Sequence, residues 1–155
     1  TTEIYTLSLH DALPILDAGS ETKIVPFAKL YRKLGKRVFA LCDKQSEEDK
    51  NFIEENVEKL FMHSEKGFEN LVLKNTTTDA MERYCELLDW PSHLRKKYPH
   101  PNDDLQNALL EYFLWSKGSW GIADFLSQCQ ESEIPQRLKY VCTEIKKLYE
   151  SSPEI

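Results

Sequence analysis

The sequence contains no apolar run that approaches the roughly 20 residues a transmembrane helix needs. The short apolar stretch near its start is not a signal peptide either, because acids precede it and no basic segment or long apolar core is present. We therefore expect a cytoplasmic protein with no membrane partner. The composition, 41% hydrophobic and 30% charged, is typical of a globular domain with its own core.

The cysteines and histidines do not have the spacing that is typical of metal ligands. The four cysteines are Cys42, Cys85, Cys129 and Cys142. Structural zinc sites use closely spaced pairs of cysteine or histidine, and His63, His93 and His100 are unclustered as well. We interpret the cysteines as reduced thiols of a cytosolic protein.

An excess of basic residues is also absent, since the net charge is −6. A protein that binds nucleic acid by itself usually carries a basic patch that neutralises phosphate groups. If this chain acts on DNA, either parts outside it grip the strand or metal ions neutralise its acids. The sequence shows no internal repeat and no low-complexity segment.

Residues 1–15 read as a translated laboratory sequence. TTEIYTLSLHDALPI corresponds codon by codon to a common short-read sequencing adapter. We expect this segment to be artefactual, so that the natural sequence starts near Leu16. Its residues, including His10 and Asp11, therefore receive no functional role.

Residues 16–75 predict an α/β portion. Apolar residues at helical spacing predict a helix over 24–34, which Gly35 ends. The apolar run at 38–42 has no alternation, which is typical of a strand covered on both faces of a parallel sheet. A helix to about residue 56, a short strand at 57–62 and a short apolar helix or turn after Gly67 follow. Residues 76–155 carry helix signals only and predict an all-helical C-terminal portion.

Two acids follow the predicted strands. Ligands of parallel sheets bind at the carboxyl ends of the strands, where Asp43 ends the first of them. Glu69 follows the next strand and can reach the same edge, and two converging carboxylates suit a divalent metal such as Mg²⁺. The alternatives are that Asp43 caps the next helix and that Glu69 is an acid in the first turn of a short helix.

Lys117 is the third candidate. It lies between two predicted helices, within Trp115-Ser116-Lys117-Gly118. A lysine at such a junction can act on a ligand, or it can simply cap the C-terminus of the preceding helix.

The order and spacing of these residues resemble the C-terminal TOPRIM nuclease region of the OLD (overcoming lysogenization defect) family of ATP-dependent endonucleases. The resemblance extends from Gly19 to about Tyr149. It is carried by the segments DAG at 17–19, PFAKL at 26–30, LGK at 34–36, VFALCD at 38–43, GFENL at 67–71, KG at 117–118, ADFL at 123–126 and IP at 134–135.

The resemblance implies a metal-dependent DNA endonuclease with a partial TOPRIM (Rossmann-like) parallel sheet. Asp43 matches the first acid of the family's Asp-x-Asp motif, and Glu69 matches the acid after the following strand. Lys117 matches the lysine that neutralises charge on the phosphate. Mg²⁺ or Mn²⁺ would be held by Asp43, Glu69 and Gln45, although Gln45 stands where the family has its second acid and brings no charge.

The resemblance also implies parts outside this sequence. The first TOPRIM strand, with its glutamate, and the ATPase domain precede the matched region in the family. ATP and homo-oligomer formation would therefore enter through the parent protein only. We expect the fragment to be inactive and the parent to cleave DNA, in defence against phage or other foreign DNA.

Three other interpretations remain open. A receiver-like phosphoacceptor domain also has a strand-end aspartate, but its lysine should end a later strand. A haloacid-dehalogenase-type phosphatase needs a second acid where Gln45 stands. A non-catalytic interaction or dimerisation module would use Trp90, Trp115 and Trp120 as contact anchors.

Overall fold

The computed structural model describes residues 18–116 and 121–151. Within these stretches the protein is a mixed α/β structure in which helices predominate and two parallel strands form a small sheet. The predicted α/β class is therefore confirmed. Residues 1–15, Lys117 and Trp120, for which the sequence made predictions, lie outside the described residues.

The α/β elements follow the predicted order. They are α1 (Ile24–Lys33), β1 (Phe39–Asp43), α2 (Glu47–Glu54), β2 (Lys59–His63) and α3 (Phe68–Asn75). The second strand begins two residues later than predicted. The reason is that the N–H groups of Asn56 and Val57 both donate to the carbonyl of Ile53, which extends the end of α2 as a turn.

Gly35 ends α1 as the sequence predicts. Its φ is +73°, its N–H donates to the Arg32 carbonyl, and the N–H of Lys36 donates to the Tyr31 carbonyl. These two hydrogen bonds form a Schellman motif, which satisfies carbonyls that the helix end would otherwise leave without partners.

The first strand is less covered than its apolar sequence predicts. Only Ala40 is buried, whereas Phe39, Leu41 and Cys42 are half-buried. The prediction of a strand covered on both faces was therefore wrong. The physical reason is that the sheet has only two strands within the described residues, so its faces are narrow and the side chains of β1 lie close to solvent at the sides of the sheet.

The C-terminal portion is helical, as predicted. It contains α4 (Thr78–Leu87), α5 (Ser92–Lys97), α6 (Leu105–Trp115), α7 (Gly121–Gln128) and α8 (Gln136–Glu150). The predicted cap of α4 is present, because the Thr77 side chain accepts a hydrogen bond from the Ala80 N–H. None of the helices in the described ranges is long and apolar enough to cross a membrane.

The chain divides into two compact units. Unit 1 comprises the described part of Thr1–Ala40 together with Glu47–Leu60, and unit 2 comprises Leu41–Ser46 together with the described part of Phe61–Ile155. In unit 1, α1 packs against α2, and Val25 and Ile53 are buried.

Helix α6 lies at the centre of unit 2. It packs against α3, α4, α5 and α7, and its Leu109 and Phe113 are almost completely buried. The rings of Tyr84 and Phe125 meet edge to face, with their centroids 5.2 Å apart. The core cluster is formed by Val72, Leu73, Ala80, Met81, Tyr84, Cys85, Leu105, Leu109, Phe113 and Phe125.

Candidate functional site

The candidate site lies at the carboxyl edge of the sheet, within unit 2. Asp43 is the last residue of β1 and His63 is the last residue of β2. Because parallel strands end at the same edge, both side chains belong to the position where ligands bind in sheets of this type.

The Asp43 carboxylate is held by two donors. Its Oδ1 accepts a hydrogen bond from Gln45 Nε2 at 2.9 Å, and its Oδ2 accepts a longer one from the Gly67 N–H at 3.4 Å. Neither donor belongs to the first turn of α2. The geometry therefore does not favour the alternative in which Asp43 caps α2.

Gly67 brings the second acid to the same place. Its φ of +80° starts the turn into α3, and a Cβ atom at this position would lie 3.1 Å from Glu69 Oε2. Glu69 therefore lies in the first turn of α3 with its carboxylate against Gly67. The distance from Asp43 Oδ2 to the Gly67 nitrogen and the distance from Glu69 Oε2 to a Cβ atom at Gly67 together set an upper limit on the separation of the two carboxylate oxygens. That limit is about 9 Å.

An upper limit of about 9 Å leaves room for divalent ions, which Asp43 and Glu69 would hold by their carboxylate oxygens. In the described ranges, however, no group of three or more histidine, cysteine, aspartate or glutamate side chains is arranged to hold a metal ion. Asp43 and Glu69 thus form a partial ligand set, and the prediction that they bind a metal stays a prediction.

Gln45 contacts Asp43 with the nitrogen end of its amide. Nε2 lies 2.9 Å from Asp43 Oδ1 and 3.0 Å from the Asp43 backbone oxygen. Both neighbours are acceptors, so the amide donates to both of them. The sequence predicted that Gln45 would accept a metal or hold its water, and that stays a prediction.

His63 is a residue at this edge to which sequence analysis gave no role. His63 is only 8% exposed, and its buried Nδ1 has no hydrogen-bond partner among the described residues. Burial lowers the pKa of His63, although the negative charges of Asp43 and Glu65 act in the opposite direction. Burial thus favours the neutral form of the ring. Its position at the end of the second strand, equivalent to that of Asp43 on the first, was the available signal.

Arg137 brings a positive charge from α8 to the end of β2. Its guanidinium donates to the Met62 backbone carbonyl and lies over the Tyr140 ring, 5.1 Å from the centroid. Tyr140 in turn meets Phe61 edge to face at 6.3 Å. Nothing in the local sequence signals this contact, because 75 residues separate Arg137 from Met62.

Lys117 itself lies outside the described residues, but the residues beside the undescribed segment are well packed. Ser116 is buried, and Tyr84 Oη lies 3.1 Å from the Gly121 carbonyl oxygen. A Cβ atom at Gly121 would collide with Ser116 Oγ, so the Ser116 side chain would have to shift to admit it. The role predicted for Lys117 stays a prediction.

The chain matches no protein-family model, no curated protein and no solved structure. The class that fold and site define is therefore a mixed α/β protein with two acids near one edge of a parallel sheet. Any more specific assignment depends on the sequence resemblance and on the geometry described above.

Proposed function

We propose that this chain is part of a metal-dependent DNA endonuclease of the OLD family and that its sheet is a partial TOPRIM sheet. The observation that carries the proposal is the meeting of Asp43 and Glu69 at Gly67. Asp43 accepts from the Gly67 N–H and the Glu69 carboxylate lies beside the same glycine, and such carboxylates are the hard oxygen ligands that Mg²⁺ and Mn²⁺ prefer.

In the proposed reaction, Asp43 and Glu69 would hold divalent ions by their carboxylate oxygens. Such ions, when bound, would supply an activated water and stabilise the leaving oxygen of the phosphodiester. Gly67 keeps both acids close because it carries no side chain and because its N–H donates to Asp43. Lys117 would neutralise charge that builds on the phosphate, which is a role taken from the resemblance alone.

The partial ligand set has a consequence for activity. Charge must be neutralised at both the attacking and the leaving oxygen, and the described residues offer fewer ligands than a three-residue metal group. In the proposed family the remaining acid and the ATPase precede the matched region. We therefore expect the 155-residue chain to be inactive and the parent to cut DNA.

The proposed setting is the cytoplasm of a bacterium or archaeon, in defence against foreign DNA. The net charge of −6 supports a division of labour in which other parts of the parent grip the DNA and form the homo-oligomer. ATP would act only through the upstream domain of that parent.

The test is plasmid nicking by the intact parent with Mg²⁺ or Mn²⁺. Asp43→Asn should lower the nicking rate by about 10²–10³-fold, which is typical for loss of one charge-stabilising group. Asp89→Asn is the matched control, because the Asp89 side chain is 99% exposed and lies outside the carboxyl edge. If the parent carrying Asp43→Asn nicked DNA at the unmutated rate, the nuclease proposal would have to be abandoned.

A second candidate function is dimerisation, and one observation favours it. Trp115 is 55% exposed although the rings of His93 and Tyr112 pack against it, at 5.9 Å and 5.7 Å. Trp90 is half-buried and donates to the Cys85 carbonyl, so it serves packing in unit 2. The mass of the chain in solution, measured by light scattering with and without Trp115→Ala, tests this candidate. A monomer at all concentrations would exclude it.

A further inference from the structure

The contact between Gln45 and Asp43 has a direction that bears on the metal chemistry. The amide nitrogen of Gln45 faces two oxygens of Asp43, at 2.9 Å and 3.0 Å, and neither oxygen can donate a hydrogen. An amide oxygen in the same place would bring three acceptors together with no proton between them, which is unfavourable unless a cation joins them.

A metal ligand at position 45 would need a different arrangement. To share an ion with Asp43 through its carbonyl oxygen, Gln45 would have to turn its amide over and give up both hydrogen bonds. The half-buried position of Gln45 makes those bonds worth keeping, since partly buried polar groups need partners.

We infer that Gln45 is a positioning residue, which donates to Asp43 and does not ligate the metal. This inference rests on the proposed function, because the orientation of Asp43 affects activity only if Asp43 takes part in the reaction. Gln45 holds Oδ1 and Gly67 contacts Oδ2, so the carboxylate is oriented before any cation arrives.

The inference also explains how the site tolerates an amide where the family has a second acid. Two carboxylates at this spacing repel each other until a cation neutralises them. Gln45 at this position instead donates a hydrogen bond to Asp43, so the carboxyl edge of the sheet is stable without metal. The edge then offers a metal ion one carboxylate fewer. The Oδ2 side of Asp43, where the contact with the Gly67 N–H is long at 3.4 Å, is the side left for a divalent ion.

The first experiment needs only the 155-residue chain. Thermal unfolding is measured in EDTA and in excess Mn²⁺ for the wild type, Gln45→Met and Gln45→Glu. In EDTA we expect Gln45→Met to lower Tm by about 2–4 °C, because Asp43 loses a donor. Gln45→Glu should lower it further through repulsion, and Mn²⁺ should restore Gln45→Glu more than it raises the wild type.

Gln128 provides the matched control. Its Nε2 donates to Asp124 Oδ2 at 3.2 Å, so Gln128→Glu places a new carboxylate beside an existing one at a site on α7. We expect no stabilisation of Gln128→Glu by Mn²⁺ beyond that of the wild type. An equal response of both glutamate variants would show that any such pair collects Mn²⁺, and the inference would fail.

Two further results would overturn the inference. One is a Tm in EDTA that neither substitution at position 45 changes, since a donor must matter without metal. The other is a Mn²⁺-dependent rise in Tm that the wild type shows and Gln45→Met loses, because that is the behaviour of a ligand.

The parent enzyme separates this inference from the proposed function. A positioning role predicts that Gln45→Met lowers kcat for nicking at least tenfold and leaves the half-saturating Mn²⁺ concentration within twofold of the wild type. A tenfold rise in that concentration with unchanged kcat would identify a ligand and refute the inference, while the nuclease proposal would stand. If the parent does not cut DNA, the nuclease proposal fails, and the unfolding experiment still decides how Gln45 contacts Asp43.

Discussion

Gly67 lies beside both Asp43 and Glu69, and its lack of a side chain leaves room for them. Its backbone has a φ of +80°, which residues with a Cβ atom rarely adopt. The same residue contacts Asp43 through its N–H and leaves room for the Glu69 carboxylate. A substitution here should therefore combine a backbone effect with a local clash.

A positive φ costs an alanine roughly 1–2 kcal/mol. We expect Gly67→Ala to lower the free energy of unfolding by more than this amount. The added Cβ would lie 3.1 Å from Glu69 Oε2, which is closer than ordinary contact. Urea unfolding of the purified chain measures the loss.

Gly35→Ala is the matched control for this prediction. Gly35 has a similar φ of +73° but no atom within 4 Å of the added Cβ, so it reports the backbone effect alone. If Gly67→Ala cost no more than Gly35→Ala, the crowding of Glu69 would not contribute.

At the scale of elements, an ion pair joins α4 to the turn before α8. Arg83 on α4 makes a two-point contact with Glu133, whose Oε2 also accepts from the Gln130 N–H at 2.7 Å. Glu133 is only 7% exposed, and Thr76 donates to its backbone carbonyl. This single residue thus ties together segments that are distant along the chain.

The ion pair between Arg83 and Glu133 makes the free energy of unfolding depend on pH. Hydrogen bonds from Arg83 and from the Gln130 N–H hold the pKa of Glu133 below its ordinary value. A carboxylate whose pKa is lower in the folded state stabilises the protein above its unfolded pKa of about 4.3, and that contribution is lost as the pH falls below it. Urea midpoints between pH 7 and pH 3 should therefore drop steeply for the wild type.

Glu133→Gln tests the assignment. It should be less stable than the wild type at pH 7 and lose less stability on acidification, because the titrating group is gone. Glu131 is an exposed acid in the same turn, so Glu131→Gln should keep the wild-type dependence of the urea midpoint on pH. Identical slopes for Glu133→Gln and the wild type would assign the acid dependence to other carboxylates.

At the scale of the whole molecule, the core cluster of unit 2 lies where α6 meets its neighbours. Leu109 is completely buried among helices of unit 2, whereas Leu87, at the end of α4, is 68% exposed. The same residue type in the same kind of element therefore occurs in two opposite environments.

Leu109→Ala should cost about 2–5 kcal/mol, since it removes buried methyl groups and leaves a cavity. Leu87→Ala should stay within about 0.5 kcal/mol of the wild type. Equilibrium unfolding in urea measures both variants. A comparable loss for the two leucines would mean that the core does not lie around α6.

Local signals predicted most of the fold. Gly35 ends α1 through its positive φ, Thr77 caps α4, and the apolar run before Asp43 forms β1. These features depend on a few neighbouring residues, so they can be seen without knowing the rest of the chain. The coverage of β1 was predicted wrongly because it depends on the number of strands beside it.

The candidate site divides in the same way. The sequence alone determined that Asp43 stands at the end of a strand and that Glu69 lies just after Gly67 in a short helix or turn, because both follow from local patterns. Only the tertiary structure decided that Gly67 joins them, that the nitrogen of Gln45 faces Asp43, and that His63 is buried while Arg137 reaches the Met62 carbonyl. Such contacts connect residues up to 75 positions apart or depend on a side-chain rotation, and neither leaves a periodic trace in the sequence.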